Sequence, residues 1–485
     1  MNGEIIKGVK GFDDVFDKNY SVKSRIASML MGKFNNWGYV RVEAPLFEST
    51  ELFLRKSGGE LASRLYRLKD SSVGDVSVRP EFTSSVIRSL IGQGLDDRSP
   101  RRVLYSGSVY RRPLGDTADE KETMQVGVEL LGSEGLLGDS EIISMVLAGL
   151  ETLNIDKAIF KLNNLEVLFN LLDSFSLSDR AKLFIMANLE ALKNDSAQSG
   201  IDQLWIKAQK EGLVSRDDKT LELDANERGN DSKSSIRKHL SEMENIWIGR
   251  RSSLEVEKRY IDKFDNDQDP KVFNEALSFM GEFVKLTGTG MEVIEGAKAI
   301  LTAHGISTKF LENLKDIVAM LDSIPLSGKI ALEWDMGFAP GLSYYSGLVF
   351  QVTADGKNRS PICVGGRYDG LTKALGGVDF PALGFAYSVD SLLSSLSLEQ
   401  MQAIVSSDSN QNKTIVVQPR NHSDISESIR WAEHLRAEDV KNVVILGGFI
   451  GNQNLAQEYA VSVGAEELIF VDGNDRESVL LKRDV

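Results

Sequence analysis

The strand-like segments of this chain lie far apart in sequence, and few hairpin signals join them. That spacing constrains the fold more than any other feature. Val76-Ser-Val-Arg, Arg102-Val-Leu-Tyr-Ser-Gly and Thr123-Met-Gln-Val-Gly-Val-Glu-Leu-Leu-Gly are β-rich pieces divided by long intervals. Leu342-Ser-Tyr-Tyr-Ser-Gly-Leu-Val-Phe-Gln-Val is another, much further on. Strands so distributed suggest a mixed sheet wrapped by helices, an α/β composition of the α+β kind.

Four stretches follow. Residues 1–150 open with a predicted helix from Val22 to Phe34, which ends in an Asn-Asn-Trp-Gly turn. Tyr39-Val-Arg-Val-Glu-Ala-Pro-Leu then alternates as a strand closed by Pro45. Residues 151–325 read as a helical insertion subdomain, charged and poor in large apolar residues over about 195–265. Asp224-Ala-Asn-Glu-Arg-Gly-Asn-Asp-Ser-Lys is its weakest folding segment by composition. Residues 326–400 return to strands, with Asp355-Gly-Lys-Asn as a turn. After a polar linker from Ser406 to Lys413, residues 413–485 alternate strand and helix, as a small parallel-type sheet requires. There Ser423 is the expected N-cap of a helix from Asp424 to Ala437.

Composition narrows the function. The net charge of −15 lowers the expectation of nucleic-acid binding, which rests on Lys and Arg meeting phosphates. Cys363 is the single cysteine, so no disulfide framework is possible and a reducing cytoplasm is expected. His239, His304, His422 and His434 form no ligand spacing, and no metal is expected. The start, Met1-Asn-Gly-Glu-Ile-Ile-Lys, is not a signal peptide, and no apolar run reaches the length of about 18 residues that suggests a membrane span.

Four segments are polar or glycine-rich where apolar packing is the default. Glu81 and Thr83 follow Pro80 at a strand-to-helix junction, where a helix start with Thr83 as cap is the plain reading. Gln125 and Glu129 are four apart and share one face of a strand. Burying both demands partners: a hydrogen-bond network, or a bound amine or imidazole N–H. Tyr344 and Tyr345, adjacent in a strand, are expected to point to opposite faces, and either alone reads as core packing. Gly365-Gly-Arg-Tyr-Asp-Gly sets Arg367 among glycines, which permits close backbone approach to a ligand or simple turn formation.

The order of these motifs says more than any one of them. Arg79-Pro-Glu-Phe-Thr, Tyr110-Arg, then Gln125-Val-Gly-Val-Glu-Leu-Leu-Gly, Leu342-Ser-Tyr-Tyr-Ser-Gly-Leu-Val-Phe, Gly365-Gly-Arg-Tyr-Asp-Gly-Leu and Gly384-Phe-Ala resemble the class II histidyl-tRNA synthetase family. The last unit resembles that family's anticodon-binding domain; only about 195–290 has no evident counterpart. The resemblance implies a class II antiparallel sheet with helices, built from 1–150 and 326–400, plus a small α/β domain over 413–485. It implies that Glu81, Thr83, Gln125, Glu129, Tyr344 and Tyr345 hold histidine, and that Arg111 is the motif 2 arginine meeting the α-phosphate and the substrate carboxylate. It also implies at least a homodimer through motif 1, around Phe34 to Pro45.

The phosphate-facing pattern breaks. Where the family has the motif 3 arginine this chain has Ser391. Pro340 replaces the arginine before the tyrosine pair, Pro113 replaces a glutamate, and the basic motif 2 loop aligns with Ala118-Asp-Glu-Lys. Each lost transition-state donor costs about 10² to 10³ in rate. Arg112 and Arg367 are the neighbours available on the nucleotide side. The last unit carries 12 acidic and 8 basic side chains, so tRNA is not an expected partner.

No residue is therefore assigned a catalytic role. The losses resemble those of the family's non-catalytic paralogue, the regulatory subunit of ATP phosphoribosyltransferase in histidine biosynthesis, and imply histidine and that catalytic subunit as partners. A divergent histidine–tRNA ligase is the alternative, and only then are ATP and Mg²⁺ required. A third is another synthetase-like binding module.

Overall fold

The structure, a computed structural model, describes residues 6–55, 58–95, 99–113, 121–193, 197–214, 268–324, 326, 329–341, 344–354, 360–406, 414–437, 442–445 and 450–481. The chain divides into two compact units, Met1–Met401 and Gln402–Val485.

The strands of the first unit are β1 (Val40–Arg41), β2 (Phe47–Ser49), β3 (Arg67–Asp70), β4 (Gly74–Val78), β5 (Arg101–Tyr110), β6 (Glu122–Leu131), β7 (Lys157–Asn164), β8 (Thr287–Gly288), β9 (Lys329–Asp335), β10 (Leu348–Ala354), β11 (Cys363–Arg367) and β12 (Ala382–Ser388). Nine of them form one sheet in the order β1-β5-β6-β12-β11-β10-β7-β9-β8, and β2-β4-β3 form a small second sheet. Pairing is antiparallel from β5 across to β7; β1 with β5 and β7 with β9 run parallel.

Alternation along β6 sorts its side chains. Val126, Val128 and Leu130 are fully buried. Thr123, Gln125 and Glu129 have the opposite parity and project from the other face. The apolar side is covered by the helix Asp17–Asn35, whose Phe34 meets Phe385 edge-on at 5.3 Å and stacks on Tyr387 at 6.3 Å. Val22, Ile26, Leu30 and Phe34 recur on one helical stripe and are buried, each contributing about 1.5–3 kcal/mol. The helix Gly135–Thr152 adds Ile142, Met145, Val146 and Leu150 to the buried set.

Two strands lie within the stretch 151–325 expected to be helical, β7 near its start and β8 in its interior. β7 and β8 belong to the main sheet, β7 between β10 and β9. Ala158, Phe160 and Leu162 are buried at alternate positions, so period-2 pairing wins over helix there. Beyond Asn164 the described residues of the stretch are mainly helical, including Leu165–Asp173, Ala197–Lys210, Pro270–Phe283 and Gly290–Ala303. The Gln268 N–H donates to the Leu213 carbonyl at 3.1 Å, and the Gln268 side chain accepts from the Ser178 N–H at 2.8 Å. The segment Asp224–Lys233 lies outside the described residues.

In the second unit β13 (Thr414–Pro419) pairs parallel with β14 (Asn442–Ile445) and β15 (Glu467–Asp472), and β16 (Asp475–Leu480) closes the edge antiparallel. Val417 and Ala432 lie in one apolar layer, Val416 and Ala460 in the other. Ser423 is not the helix cap. A short 3₁₀ turn, His422–Asp424, is capped by Asn421, whose N–H donates to Asp424 at 3.0 Å, and the α-helix starts at Ile425. Among the described residues no helix is long and apolar enough to cross a membrane.

Candidate functional site

The site starts where β4 gives way to the helix Thr83–Gly92. Glu81, not Thr83, caps this helix: its carboxylate accepts from the Ser84 N–H at 3.1 and 3.2 Å. That frees the Thr83 hydroxyl, which donates to Glu129 Oε1 at 2.8 Å, tying the helix start to β6. Arg79 pins the junction by donating to the carbonyls of Ser108 (2.8 Å) and Ala44 (2.7 Å).

Glu129 is 1% exposed and receives three hydroxyls: Thr83, Tyr105 at 3.1 Å, and Tyr368 in a short contact. The register makes room for them. Gly384 lies opposite Glu129, and a Cβ there would overlap Glu129 Oε2 and the Val128 carbonyl. Gly127 does the same for the Tyr105 hydroxyl. Burial pushes Glu129 up to about 8; the hydroxyls of Tyr368, Thr83 and Tyr105 oppose the shift, and the Glu81 charge adds to it. Burial also raises Glu81, against the Ser84 bonds and the Arg111 charge. At neutral pH a Glu129 titrating at about 8 keeps its proton; once it ionises, each hydroxyl that donates to it has only lone pairs left for another group. The floor becomes a pure hydrogen-bond acceptor on that ionisation.

Above the floor is a cavity of about 630 Å³. Its wall brings together Glu81, Thr83, Arg111, Gln125, Tyr344 and Tyr345, distant in sequence. Glu129 lies behind this wall, reached through the hydroxyls. Tyr344 and Tyr345 do not alternate across the sheet as expected. β10 begins only at Leu348, because the Ser346 N–H bonds to the Arg367 carbonyl and the Leu165 N–H to the Gly347 carbonyl, turning the chain into the sheet there. Both rings therefore line the cavity, 4.9 Å apart, with Tyr368 5.5 Å from Tyr344. Burial raises both phenols, which stay protonated as donors.

Arg111 donates to the Pro80 carbonyl at 2.7 Å. Burial draws its guanidinium below the usual range, the like charge of Arg64 adds to this, and Glu81 opposes it. The other two arginines expected on the nucleotide side, Arg112 and Arg367, do not line the cavity. Arg112 is exposed and lies over the Tyr66 ring at 5.3 Å, outside the wall. Arg367 is buried and bound to Asp139 at 2.9 and 3.1 Å and to the carbonyls of Gly135 and Ser133 at 3.0 and 3.2 Å. A buried guanidinium needs that set of acceptors, so it is held by the protein itself.

Tyr105, Tyr368 and Arg64 also line the cavity, and sequence reasoning missed all three. The two tyrosines look like core aromatics until Glu129 supplies a partner for their hydroxyls. Of the positions that depart from the family pattern, Pro340 and Ser391 are in the wall, Pro113 is not, and Asp119 lies outside the described residues. Among the described residues no group of His, Cys, Asp and Glu is arranged to hold a metal.

The family described as histidyl-tRNA synthetase matches residues 11–262 and 261–392. The histidine–tRNA ligase of Methanococcus vannielii is 26% identical over 468 residues, 96% of this chain and 92% of that one. That of Methanococcus maripaludis strain C7 is 28% identical with the same coverage. Among solved structures, histidyl-tRNA synthetase from Nostoc sp. PCC 7120 superposes with a TM-score of 0.60 at 16% identity, over 99% of this chain and 97% of that one. An ATP phosphoribosyltransferase regulatory subunit/histidyl-tRNA synthetase from Bacillus halodurans gives 0.59 at 19% identity, over 98% and 100%. At these identities the superpositions speak for the fold alone. The family match covers most of the chain, the sheet carries the matching motifs into one cavity, and the chain belongs to the histidyl-tRNA synthetase family.

Proposed function

We propose that this chain binds histidine in the cavity without activating it, and regulates ATP phosphoribosyltransferase. Imidazole N–H groups and an ammonium find acceptors in Gln125, Glu81 and the hydroxyls over Glu129, while Arg111 is the cation for the carboxylate. One observation carries the reading. Pro340 and Ser391 occupy the cavity wall where the family pattern has arginines, and neither offers a positive charge to a polyphosphate. Ground-state contacts suffice for affinity, whereas adenylation needs cations on developing charge. A regulator requires only binding and two states of unequal affinity. The regulator acts as a homodimer or larger assembly.

A histidine–tRNA ligase is the second reading, favoured by end-to-end similarity to ligases at 26–28% identity. Two measurements separate them. Calorimetry is expected to show histidine binding, and histidine-dependent pyrophosphate–ATP exchange is expected to be absent; robust exchange overturns the regulatory reading. Mixed with a short-form ATP phosphoribosyltransferase chain, the protein is expected to co-elute and to confer inhibition by histidine.

A further inference from the structure

β9 ends at Asp335, and the chain then runs through Met336, Gly337 and Phe338 to Pro340 and Gly341 in the cavity wall. Three groups hold that run from outside the wall. The first is on β7. Lys161 lies opposite Gln351 and Asn163 opposite Val349, so both share the sheet face of Gln351, which lines the cavity. Asn163 is fully buried, and its Nδ2 donates to the carbonyls of Phe338 at 2.7 Å and Met336 at 3.2 Å. The second is Asp335 itself, also buried, whose Oδ1 accepts from the Gly337 N–H at 3.0 Å. The third comes from the helical insertion. Lys193 caps the short helix Leu189–Leu192 and reaches Asp335 Oδ2 at 2.6 Å, and Lys161 meets the same oxygen at 3.4 Å. The Lys193 stem also covers Gly337, where a Cβ would stand 3.0 Å from its Cδ and 2.8 Å from the Val284 carbonyl. A buried carboxylate needs one cation, and Lys161 supplies it from within the sheet. The second ammonium adds a tie between the insertion and the loop.

We propose that Lys193 is a positioning residue: from the helical insertion it fixes the loop Met336 to Gly341, and so sets the Pro340 side of the cavity for its ligand. The insertion and the cavity are then coupled through one ion pair and one loop, a contiguous physical path. The affinity arm of the test rests on the histidine reading above; the loop arm stands without it.

Lys193→Met keeps the stem over Gly337 and removes the ammonium. Hydrogen exchange on the full chain, read by mass spectrometry, is expected to speed up in peptides spanning 336–341 and to stay unchanged in the helix Leu165–Asp173. Calorimetry with L-histidine is expected to show affinity about fivefold weaker, within the range for changes along a connected network. Lys193→Arg, which restores a cation, is expected to return both readouts towards the parent. Lys207→Met is the control: it removes a 2.7 Å bond to Asn188 in the same helical layer and is expected to move neither readout. Lys193→Gln replaces K193M if thermal unfolding shows that variant misfolded. Unchanged exchange over 336–341 overturns the proposal, and so does unchanged histidine affinity in K193M or an equal loss in K207M. If the parent binds no histidine, the histidine reading falls and exchange alone decides: faster exchange in K193M but not in K207M supports the positioning role, and equal exchange overturns it.

Discussion

Phe82 lies flat against Tyr105, with ring centroids 4.4 Å apart and planes 16° from parallel. The Arg79 guanidinium covers the same Phe82 ring at 4.2 Å. The Tyr105 hydroxyl donates to Glu129 at 3.1 Å, so packing and a hydrogen bond together fix its ring. Phe82→Leu is expected to keep the fold and weaken histidine binding, because the smaller side chain leaves the Tyr105 ring free to tilt. Phe82→Ala adds a cavity cost of about 3–5 kcal/mol. Calorimetry and urea unfolding on both variants check this; unchanged affinity in a folded F82L means that the stack does not position Tyr105.

Glu129 links stability to pH. An unfolded glutamate titrates near its usual 4.5, whereas burial holds the folded group at about 8. Between those values the folded chain keeps a proton that the unfolded chain releases. The stabilisation is therefore complete below about 4.5 and lost as pH rises through about 8. Glu81, also raised by burial, acts with the same sign. Glu129→Gln is expected to flatten part of the slope and to make the ligand-free protein more stable than the parent at pH 8. Unfolding curves from pH 5 to 8.5 test this, and parallel curves for the two proteins contradict it.

Arg367 gives a contrasting case. Breaking one side of its buried pair with Asp139, by Arg367→Met or Asp139→Asn, leaves a charge stranded and is expected to cost about 3–5 kcal/mol. Because the guanidinium lies outside the cavity wall, R367M that remains folded should bind AMP as the parent does. Selective loss of AMP affinity would return Arg367 to the nucleotide side.

Glycines separate along the same lines. A methyl at Gly384 runs into the Val128 carbonyl and Glu129, neither a flexible tip, so Gly384→Ala is expected to be destabilising by about 1–3 kcal/mol or more. Gly92 ends the helix Thr83–Gly92 with open space where its Cβ would stand. Gly92→Ala is therefore expected to be neutral or to stabilise by up to about 1 kcal/mol. Thermal unfolding of the two variants should move in different directions.

How much of this was legible beforehand depended on period and partner. Gln125 and Glu129 could be put on one face because a strand has period 2, and β6 keeps that period through ten residues. Tyr344 and Tyr345 escape the same rule because they stand outside a strand; residues 344–347 turn before β10 begins. β7 is hard to tell from the helical stretch around it, although Lys157–Asn164 alternates, since its partners β9 and β10 lie far downstream. Arg64 and Arg367 show the limit for single charges. Both are arginines near small residues, and only the acceptors around them distinguish a cavity wall from a buried ion pair.

Leu213 and Gln268, 55 residues apart in sequence, stand side by side, joined by one N–H···O bond of 3.1 Å. The two ends of that interval are thus pinned together. Loop-closure entropy changes slowly with length, so cargo spliced between these residues can be long, short or foreign without stretching the helices on either side. Over evolutionary time such a junction tolerates changes of length between these two residues while the cavity, whose wall residues lie 72 or more positions away in sequence, keeps its shape. For the bench it marks the place to attach a fluorophore, a tag or a tether.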